Sequence, residues 1–246
     1  MNVANKSTGG MIGILGGMGP MATVDFMTKI IEQTPAQSDQ DHLPLIVYSV
    51  PQIPDRTRSI LGEGESPLPH LLRGLSVLRQ AGAACIAMPC NTAHYWFDTL
   101  QRESGSVMLH IADAACQSVA RQAAPGVGIG LLATSGTVEA GFYQQRLEAT
   151  GYACVVPEAQ EMSDWVMPGI AAVKQGALEQ GGVLLETAVA SLRRRGAARV
   201  LLACTEIPVG LAHIHSLQLP HCVDATRALA EACVFWWQSR EDSSRR

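Results

Sequence analysis

Short apolar runs alternate with segments of helical periodicity along most of the chain. Residues 11–15 form an apolar run that ends in a glycine-rich loop, and apolar side chains then recur at helical spacing over residues 22–32. Residues 45–50 are again strand-like, and a helical pattern over residues 68–81 leads into a buried strand over residues 83–88. This alternation predicts a parallel α/β sheet.

The second half of the chain repeats this pattern. Residues 78–90 align without a gap with residues 192–204, and residues 12–19 align with residues 129–136. We therefore predict two pseudo-symmetric lobes, each a mainly parallel sheet flanked by helices. Because ligands of open parallel sheets bind beyond the carboxyl ends of the strands, we expect the active site in the cleft between the lobes.

The repeat also predicts the domain limits. The first lobe takes residues 1–121 together with residues 215–246, whose last helix packs back on it. The second lobe takes residues 122–214. Residues 239–246 are expected to be a frayed tail.

Smaller features recur at equivalent places in the two halves. An aromatic residue follows the first loop of each half, Phe26 and Tyr143. Each half also reaches an aspartate before an alanine-rich helix, and we predict that Asp113 and Asp224 are helix N-caps. The prolines of residues 51–56 break any regular element, so Arg56 is expected in a loop.

The composition is that of a globular chain without an expected macromolecular partner. Of 246 residues, 47% are hydrophobic and 16% are charged, which is enough for a full core. The formal net charge is −4, so we expect neither nucleic acid nor an anionic membrane surface as a partner. No apolar run approaches the roughly 18 residues of a membrane helix, and the polar residues 1–10 lack the apolar region of a signal peptide. A cytoplasmic location is therefore predicted.

The cysteines and glycines argue against several cofactor classes. Seven cysteines make an odd count with no Cys-x-x-Cys pair, so we predict neither a disulfide framework nor a metal site. The loop at residues 13–19 lacks the spacing of a dinucleotide fingerprint, and no Walker lysine follows a glycine run.

Two of the cysteines are equivalent in the repeat. Cys90 and Cys204 stand at the ends of matching strands, so the pseudo-twofold axis places one thiol on each side of the cleft. Inversion of a stereocentre by proton transfer needs a base on one face and an acid on the other. A thiol suits both tasks because its usual pKa is about 8.5, and a helix N-terminus after each cysteine is expected to lower that pKa. The alternative is a pair of ordinary buried thiols, which is our interpretation of the other cysteines.

Polar groups surround the paired cysteines and follow the first strand of each lobe. Hydroxyls, amides and backbone N–H groups at helix starts are suited to holding a carboxylate. The predicted donors are Met18 with its loop, Asn91, Thr92, Thr134, Ser135, Thr137 and Thr205.

These residues together resemble the cofactor-independent aspartate/glutamate racemase family, most closely its aspartate racemase branch. The motifs occur in the family's order across nearly the whole chain, and their combination is specific although each motif alone is not. The matching segments are residues 12–20, 53–57, 89–94, 132–137 and 204–207.

The resemblance implies a role for each of these side chains. Cys90 and Cys204 would be the catalytic acid/base pair, and pyridoxal phosphate or any other cofactor would be absent. Arg56 and Lys174 would bind a side-chain carboxylate, which implies an acidic amino acid as the substrate, and the family resemblance also implies a homodimer. The α-carboxylate and amino group would be held by Asn91, Thr92, Thr134, Thr137 and Thr205.

Several of these residues also have ordinary structural interpretations. Arg56 could be a solvated loop charge, and Lys174 could serve only a helix dipole. Glu206 is either a first-turn helix residue or a group that supports the Cys204 thiol or the substrate amine, and we favour the second. His94 suggests a Cys-His nucleophile pair, but it is expected to point away from the thiol or to orient a neighbour.

The favoured function is racemisation of an amino acid, aspartate first, without pyridoxal phosphate. Related alternatives are a glutamate racemase, a racemase of broad specificity and a maleate-type isomerase, since a fold alone does not determine a reaction. A catalytically silent amino-acid-binding protein and a nucleophilic cysteine hydrolase belong to other classes. Neither of these two needs a second, matched thiol.

Overall fold

The structure is a computed structural model that describes residues 10–244, with side chains as far as residue 241. Residues 1–9, where the sequence predicts no signal peptide, and residues 245–246 lie outside the described residues. In the described part of the chain, eight strands form two four-stranded sheets. The strands are β1 (Met11–Gly16), β2 (Leu45–Ser49), β3 (Ala83–Ala87), β4 (Val107–Leu109), β5 (Gly128–Ala133), β6 (Ala153–Val155), β7 (Ala197–Ala203) and β8 (Cys222–Asp224).

The two sheets have the same topology. Their orders are β2-β1-β3-β4 and β6-β5-β7-β8, and all neighbouring strands are parallel. Even an irregularity of register recurs, at Met11/Ile12 between β1 and β3 and at Gly128/Ile129 between β5 and β7. The predicted fold class and the internal repeat are therefore confirmed.

Helices flank the sheets, and those predicted over residues 22–32 and 68–81 are present within two residues of the expected ends. Short 3₁₀ turns lie at Asp39–Asp41, Thr92–Trp96 and Leu219–His221, and a π-helical turn lies at Met162–Val166. The α-helices are α1 (Pro20–Gln33), α2 (Arg56–Ile60), α3 (Leu68–Gln80), α4 (Phe97–Ser104), α5 (Ile111–Gln122), α6 (Ser135–Ala140), α7 (Phe142–Ala149), α8 (Ala159–Glu161), α9 (Met167–Lys174), α10 (Leu178–Arg194), α11 (Glu206–His213) and α12 (Ala225–Ser244).

The loop between β1 and α1 depends on a glycine. Gly17 has a φ of +92°, and a Cβ added there would lie 2.3 Å from the backbone nitrogen of Val50. Thr23 on α1 fixes the loop: its hydroxyl accepts the Gly17 N–H at 2.8 Å and donates to the Gly19 carbonyl at 3.0 Å. The intervening residue, Met18, is thereby held at the carboxyl end of the first sheet.

The two lobes pack directly on each other. A single cluster of buried apolar side chains includes Ile14 of the first sheet and Ala133 of the second. Helices α2 and α6 also meet closely, because a Cβ added at Gly136 would lie 2.9 Å from the Cα of Thr57. The beginning of α2, from the first lobe, therefore lies against the beginning of α6 in the second.

The C-terminal segment divides between the lobes. Helix α12 packs on α1 and α5 of the first lobe, as the symmetry of the repeat predicts. Strand β8, however, pairs with β7 in the second sheet, with Cys222 opposite Val200. The predicted assignment of residues 215–246 to the first lobe differs from the structure at this strand, and the other domain limits stay a prediction.

The expected frayed tail over residues 239–246 is wrong as far as Ser244, where α12 ends. Contacts one turn apart continue into this segment, since the Ser239 hydroxyl donates to the Phe235 carbonyl at 2.8 Å and the Arg240 guanidinium lies 5.1 Å from the centre of the Trp236 ring. Among the helices of residues 10–244, none combines the length and the apolar character needed to cross a membrane.

One of the two predicted N-caps is confirmed. Asp224 caps α12, accepting the backbone N–H of Thr226 at 2.8 Å. The prediction for Asp113 is wrong, because α5 begins earlier and His110 is its cap, accepting the Ala112 N–H at 3.1 Å. Burial lowers the pKa of His110 to about 2, so its ring is neutral and can accept a hydrogen bond.

Candidate active site

A cleft between the lobes brings together most of the predicted site residues. Its empty volume, counted out to the open solvent at its mouth, is about 300 Å³. Ten of the twelve predicted site residues line it, and two further residues, Asp55 and Thr57, come from the start of α2. The lining residues are Met18, Asp55, Arg56, Thr57, Cys90, Asn91, Thr92, Thr134, Lys174, Cys204, Thr205 and Glu206.

The two equivalent cysteines lie in this cleft. Cys204 follows β7 directly and Cys90 follows β3 by three residues, and both are buried, with exposed fractions of 5% and 4%. The other free cysteines of the described residues do not line the cleft. Cys154, for example, lies on β6, where burial raises its pKa to about 11.

Cys204 is held as a thiol. Burial raises its pKa well above the usual range, and the neighbouring Glu206 carboxylate raises it further. The thiol donates to Glu206 Oε2 at 3.1 Å, and the Thr205 hydroxyl donates to the same oxygen at 3.0 Å. The expectation that a helix N-terminus lowers the pKa of both cysteines is wrong for Cys204, because desolvation and a carboxylate in the first turn of α11 outweigh the helix dipole. Cys90 is followed by a 3₁₀ turn and not by an α-helix.

Replacement of Glu206 by glutamine is expected to lower the pKa of Cys204, because it removes both a negative charge and a strong acceptor from beside the thiol. The pH dependence of Cys204 alkylation by iodoacetamide, followed by mass spectrometry of its peptide, should then shift to lower pH. Glu231→Gln is the matched control, since Glu231 pairs with Arg121 outside the cleft. An unchanged or higher alkylation midpoint in Glu206→Gln would contradict this account.

Three threonine hydroxyls join the lobes at the cleft. The Oγ1 atoms of Thr92 and Thr134 are 2.9 Å apart, those of Thr92 and Thr137 are 2.9 Å apart, and those of Thr134 and Thr137 are 3.0 Å apart. Thr92 belongs to the first lobe, whereas Thr134 is the N-cap of α6 and Thr137 lies in its first turn. We call this group the threonine ring.

Asn91 contributes an amide next to the threonine ring. Its Oδ1 accepts a hydrogen bond of 2.5 Å from the hydroxyl of Tyr143 on α7. Its Nδ2 is buried and has no hydrogen-bond partner among the described residues. Tyr143 is not among the predicted site residues, although it is identified from the sequence as the residue equivalent to Phe26 in the repeat.

Arg56 and Lys174 supply positive charge to the cleft. Arg56 begins α2 and does not lie in the predicted loop, because Asp55 caps the helix by accepting the Arg58 N–H at 2.9 Å. The Arg56 guanidinium donates to the carbonyls of Ile53 and Pro54, both at 3.0 Å, and its Nε is buried without a partner among the described residues. Desolvation lowers the pKa of Lys174, but Glu206, Cys204 and Cys90 together raise it by more, so the net shift is upward and the ammonium is retained.

His94 does not contact the Cys90 thiol. The Ile111 N–H donates to His94 Nε2 at 3.2 Å, so the ring proton is on Nδ1, which donates to the Cys90 carbonyl at 2.9 Å. Burial lowers the pKa of His94 to about 4. The neutral ring thus holds the backbone at Cys90, and the Cys-His nucleophile pair is not formed.

Two predicted site residues do not line the cleft. The Ser135 hydroxyl donates to the Met167 sulfur at 3.8 Å, and Thr137 is fully buried and reaches the cleft only through the threonine ring. Asp55 and Thr57, which do line the cleft, flank Arg56 within the segment of residues 53–57. No group of three or more His, Cys, Asp or Glu side chains in the described part of the chain is arranged to hold a metal ion.

An outer chamber adjoins the cleft. Its empty volume, counted out to the open solvent, is about 660 Å³, and it shares Arg56, Lys174 and Glu206 with the cleft. Most of its remaining wall is apolar. That wall comprises Gly17, Gly19, Pro20, Met21, Ala22, Pro51, Val173 and Val209.

Comparisons with known proteins agree with this architecture. The model of the Asp/Glu/hydantoin racemase family matches residues 15–233. The chain is 29% identical over 229 residues to the broad specificity amino-acid racemase RacX of Bacillus subtilis, across 91% of this chain and 96% of that protein. Picrophilus torridus aspartate racemase is similar in structure, with 32% identity, a TM-score of 0.80 and coverage of 93% of this chain and 94% of that one.

More distant structures share the fold. Glutamate racemase of Francisella tularensis, solved in complex with D-glutamate, matches with a TM-score of 0.69 at 12% identity, over 94% of this chain and 82% of that one. The family match covers both lobes and both cleft cysteines. The chain therefore belongs to the Asp/Glu/hydantoin racemase family and is an amino-acid racemase.

Proposed function

We propose that this racemase interconverts L- and D-aspartate by proton transfer between Cys90 and Cys204, without a cofactor. Its homology to an aspartate racemase supports the substrate, and the position of both thiols in one cleft supports the mechanism. The other residues of the cleft bind and orient the amino acid.

The proposed reaction uses one thiolate and one thiol. The Cys90 thiolate removes the α-proton from one face of the substrate, and the Cys204 thiol donates a proton to the opposite face. The turnover leaves a thiol at Cys90 and a thiolate at Cys204, so the enzyme is then set for the opposite enantiomer. The raised pKa of Cys204 supports its role as the proton donor in the first of these states.

Charge that develops on the substrate carboxylate during deprotonation needs hydrogen-bond donors already in place. The NH₂ group of Asn91, which has no partner among the described residues, provides one such donor. The hydroxyls of Thr92, Thr134 and Thr205 also line the cleft, and each can donate to the substrate once its hydrogen turns from its present partner. Thr137 completes the threonine ring, and Met18 lines the cleft from the loop after β1. Ser135 has no place in this proposal because its hydroxyl is directed to Met167.

The assignment of a diacid substrate rests on two cations of the cleft that form no ion pair among the described residues. Neither Arg56 nor Lys174 lies within 4.0 Å of a carboxylate in any ion pair of the described residues. Arg56 is half-buried and Lys174 is exposed, and a side-chain carboxylate of the substrate would give both cations a partner.

Racemisation in deuterium oxide tests the mechanism. Each conversion of L- to D-aspartate by the pure protein, without added pyridoxal phosphate, should introduce deuterium at Cα, because the Cys204 thiol exchanges its proton with solvent between turnovers. Mass spectrometry of the separated enantiomers measures this incorporation. Product that retains the original α-hydrogen, or activity that depends on added pyridoxal phosphate, would contradict the proposal.

A racemase of broad specificity is the second candidate, and the outer chamber favours it. A side chain longer than that of aspartate could pass Arg56 and Lys174 and reach the apolar wall of that chamber. The relation to RacX supports the same candidate. The homodimer and the cytoplasmic location stay predictions.

A further inference from the structure

Tyr143 is buried in the second lobe, yet its hydroxyl reaches across to the first. The residue has no exposed surface and packs in the main apolar cluster. Its hydroxyl donates to Oδ1 of Asn91, 52 residues away in the chain, at 2.5 Å. No other hydrogen bond of this hydroxyl is present among the described residues, so the contact with Asn91 is what a tyrosine offers here beyond a phenylalanine.

The Asn91 amide has two chemically different ends, and they face different surroundings. The carbonyl end faces Tyr143, while the NH₂ end is buried and has no protein partner in the described part of the chain. Asn91 itself lines the cleft directly after Cys90. An unpaired buried donor in a cleft that binds an anion is available to a substrate carboxylate.

The orientation of this amide follows from the phenol. In the reverse orientation the NH₂ group would donate to the phenol oxygen, and the phenol proton would then have no acceptor among the described residues. The carbonyl oxygen would also face the carboxylate of the substrate. A buried donor without an acceptor is unfavourable, and burial raises the pKa of Tyr143 well above its usual range, so the phenol retains its proton. Both effects favour the observed orientation.

We propose that Tyr143 is a positioning residue, which holds the Asn91 amide so that its NH₂ group is presented to the α-carboxylate of the substrate. This inference rests on the proposed function. The first lobe has no equivalent hydroxyl, because Phe26 stands at the position that matches Tyr143 in the repeat. Phe26 also shows that a phenylalanine ring is accommodated at the equivalent place in the fold, where it is fully buried.

Tyr143→Phe is the variant that tests the proposal. We expect kcat/KM for L-aspartate to fall about 5- to 10-fold, the effect of losing one well-formed hydrogen bond, with most of the change in KM. Tyr152→Phe is the matched control, because Tyr152 is also buried and its hydroxyl donates to the Ala123 carbonyl at 3.2 Å, outside the cleft. Thermal unfolding of both variants measures how much stability each loses with its buried hydroxyl.

A double-mutant cycle distinguishes positioning from a structural role. If Tyr143 acts through Asn91, Tyr143→Phe should have no further effect on kcat/KM in an Asn91→Ala background. The same fold loss in both backgrounds, or a loss in Tyr143→Phe no larger than in Tyr152→Phe, would overturn the inference.

Calorimetric titration of the same proteins with D-aspartate separates this inference from the proposed function. Tyr143→Phe should weaken binding of D-aspartate about as much as it raises KM, and Tyr152→Phe should leave it unchanged. A wild-type protein that binds D-aspartate without racemising it would overturn the proposed function only. The affinities of the Tyr143→Phe and Tyr152→Phe variants for D-aspartate would then test the role of Tyr143. A wild-type protein that does not bind aspartate would overturn both.

Discussion

Replacement of either cleft cysteine by serine should reduce racemisation of aspartate about 10²- to 10⁴-fold, the usual contribution of a general acid or base. Each turnover in the proposed mechanism uses both thiols, so Cys90→Ser and Cys204→Ser should be similarly impaired. Because the two enantiomers are equal in free energy, kcat/KM must fall equally in both directions. The double variant should be little worse than either single one, since the two thiols act as a unit. Polarimetry and chiral chromatography measure both directions.

Cys154→Ser is the matched control for these variants. Cys154 is partly buried on β6 and does not line the cleft, so its replacement should leave kcat/KM within about twofold of wild type, as expected for a site outside the machinery. Wild-type activity in Cys90→Ser or in Cys204→Ser would refute the two-base mechanism. It would leave the family assignment standing, because that assignment does not depend on the thiols.

Removal of positive charge from the cleft should decide between aspartate and a broader range of substrates. Arg56→Gln and Lys174→Met are each expected to lower kcat/KM for aspartate about 10- to 100-fold, which corresponds to the loss of a charge-assisted hydrogen bond. The same variants should change kcat/KM for an amino acid with a neutral side chain much less, since such a substrate makes no use of the charge. Chiral chromatography with a panel of L-amino acids measures both effects.

Arg58→Gln is the control for the loss of charge from α2. Arg58 lies two residues from Arg56, but its guanidinium donates to the Glu63 carbonyl at 3.1 Å and does not line the cleft. Equal losses for aspartate and for neutral amino acids in Arg56→Gln would be evidence against a side-chain carboxylate at this position. That outcome would favour the second candidate, in which the outer chamber receives the side chain.

Most of the cleft could be predicted because the segments that end at Cys90 and Cys204 align without a gap. Cys90 and Cys204 follow equivalent strands of the two sheets, and ligands bind beyond the carboxyl ends of parallel strands, so the repeat predicts one thiol on each side of the cleft between the lobes. Asn91 and Thr92 follow the same logic, since they come just after Cys90, whereas the role of Arg56 is predicted from the family resemblance.

Other features depend on contacts that no local pattern records. The hydroxyl of Tyr143 finds its partner in the other lobe, and the Ser135 side chain turns to Met167 because that sulfur, 32 residues away in sequence, is adjacent in the fold. The raised pKa of Cys204 is caused mainly by its burial, and the extent of that burial cannot be read from the local sequence. Carboxylates are common caps, which favours Asp113, but the half-buried, neutral ring of His110 supplies the acceptor three residues earlier.

The threonine ring has a consequence for how the enzyme takes up a ligand. Three hydroxyls carry three hydrogen atoms, and the three contacts among Thr92, Thr134 and Thr137 require all of them. A carboxylate can only accept, so it can bind to one of these hydroxyls only when that hydroxyl swings its hydrogen away from a neighbouring threonine. Two of the three contacts join opposite halves of the molecule. When the amino acid binds at these hydroxyls, a hydrogen bond between the two lobes is therefore replaced by a hydrogen bond to the ligand. The bound ligand then itself helps to hold the two lobes together.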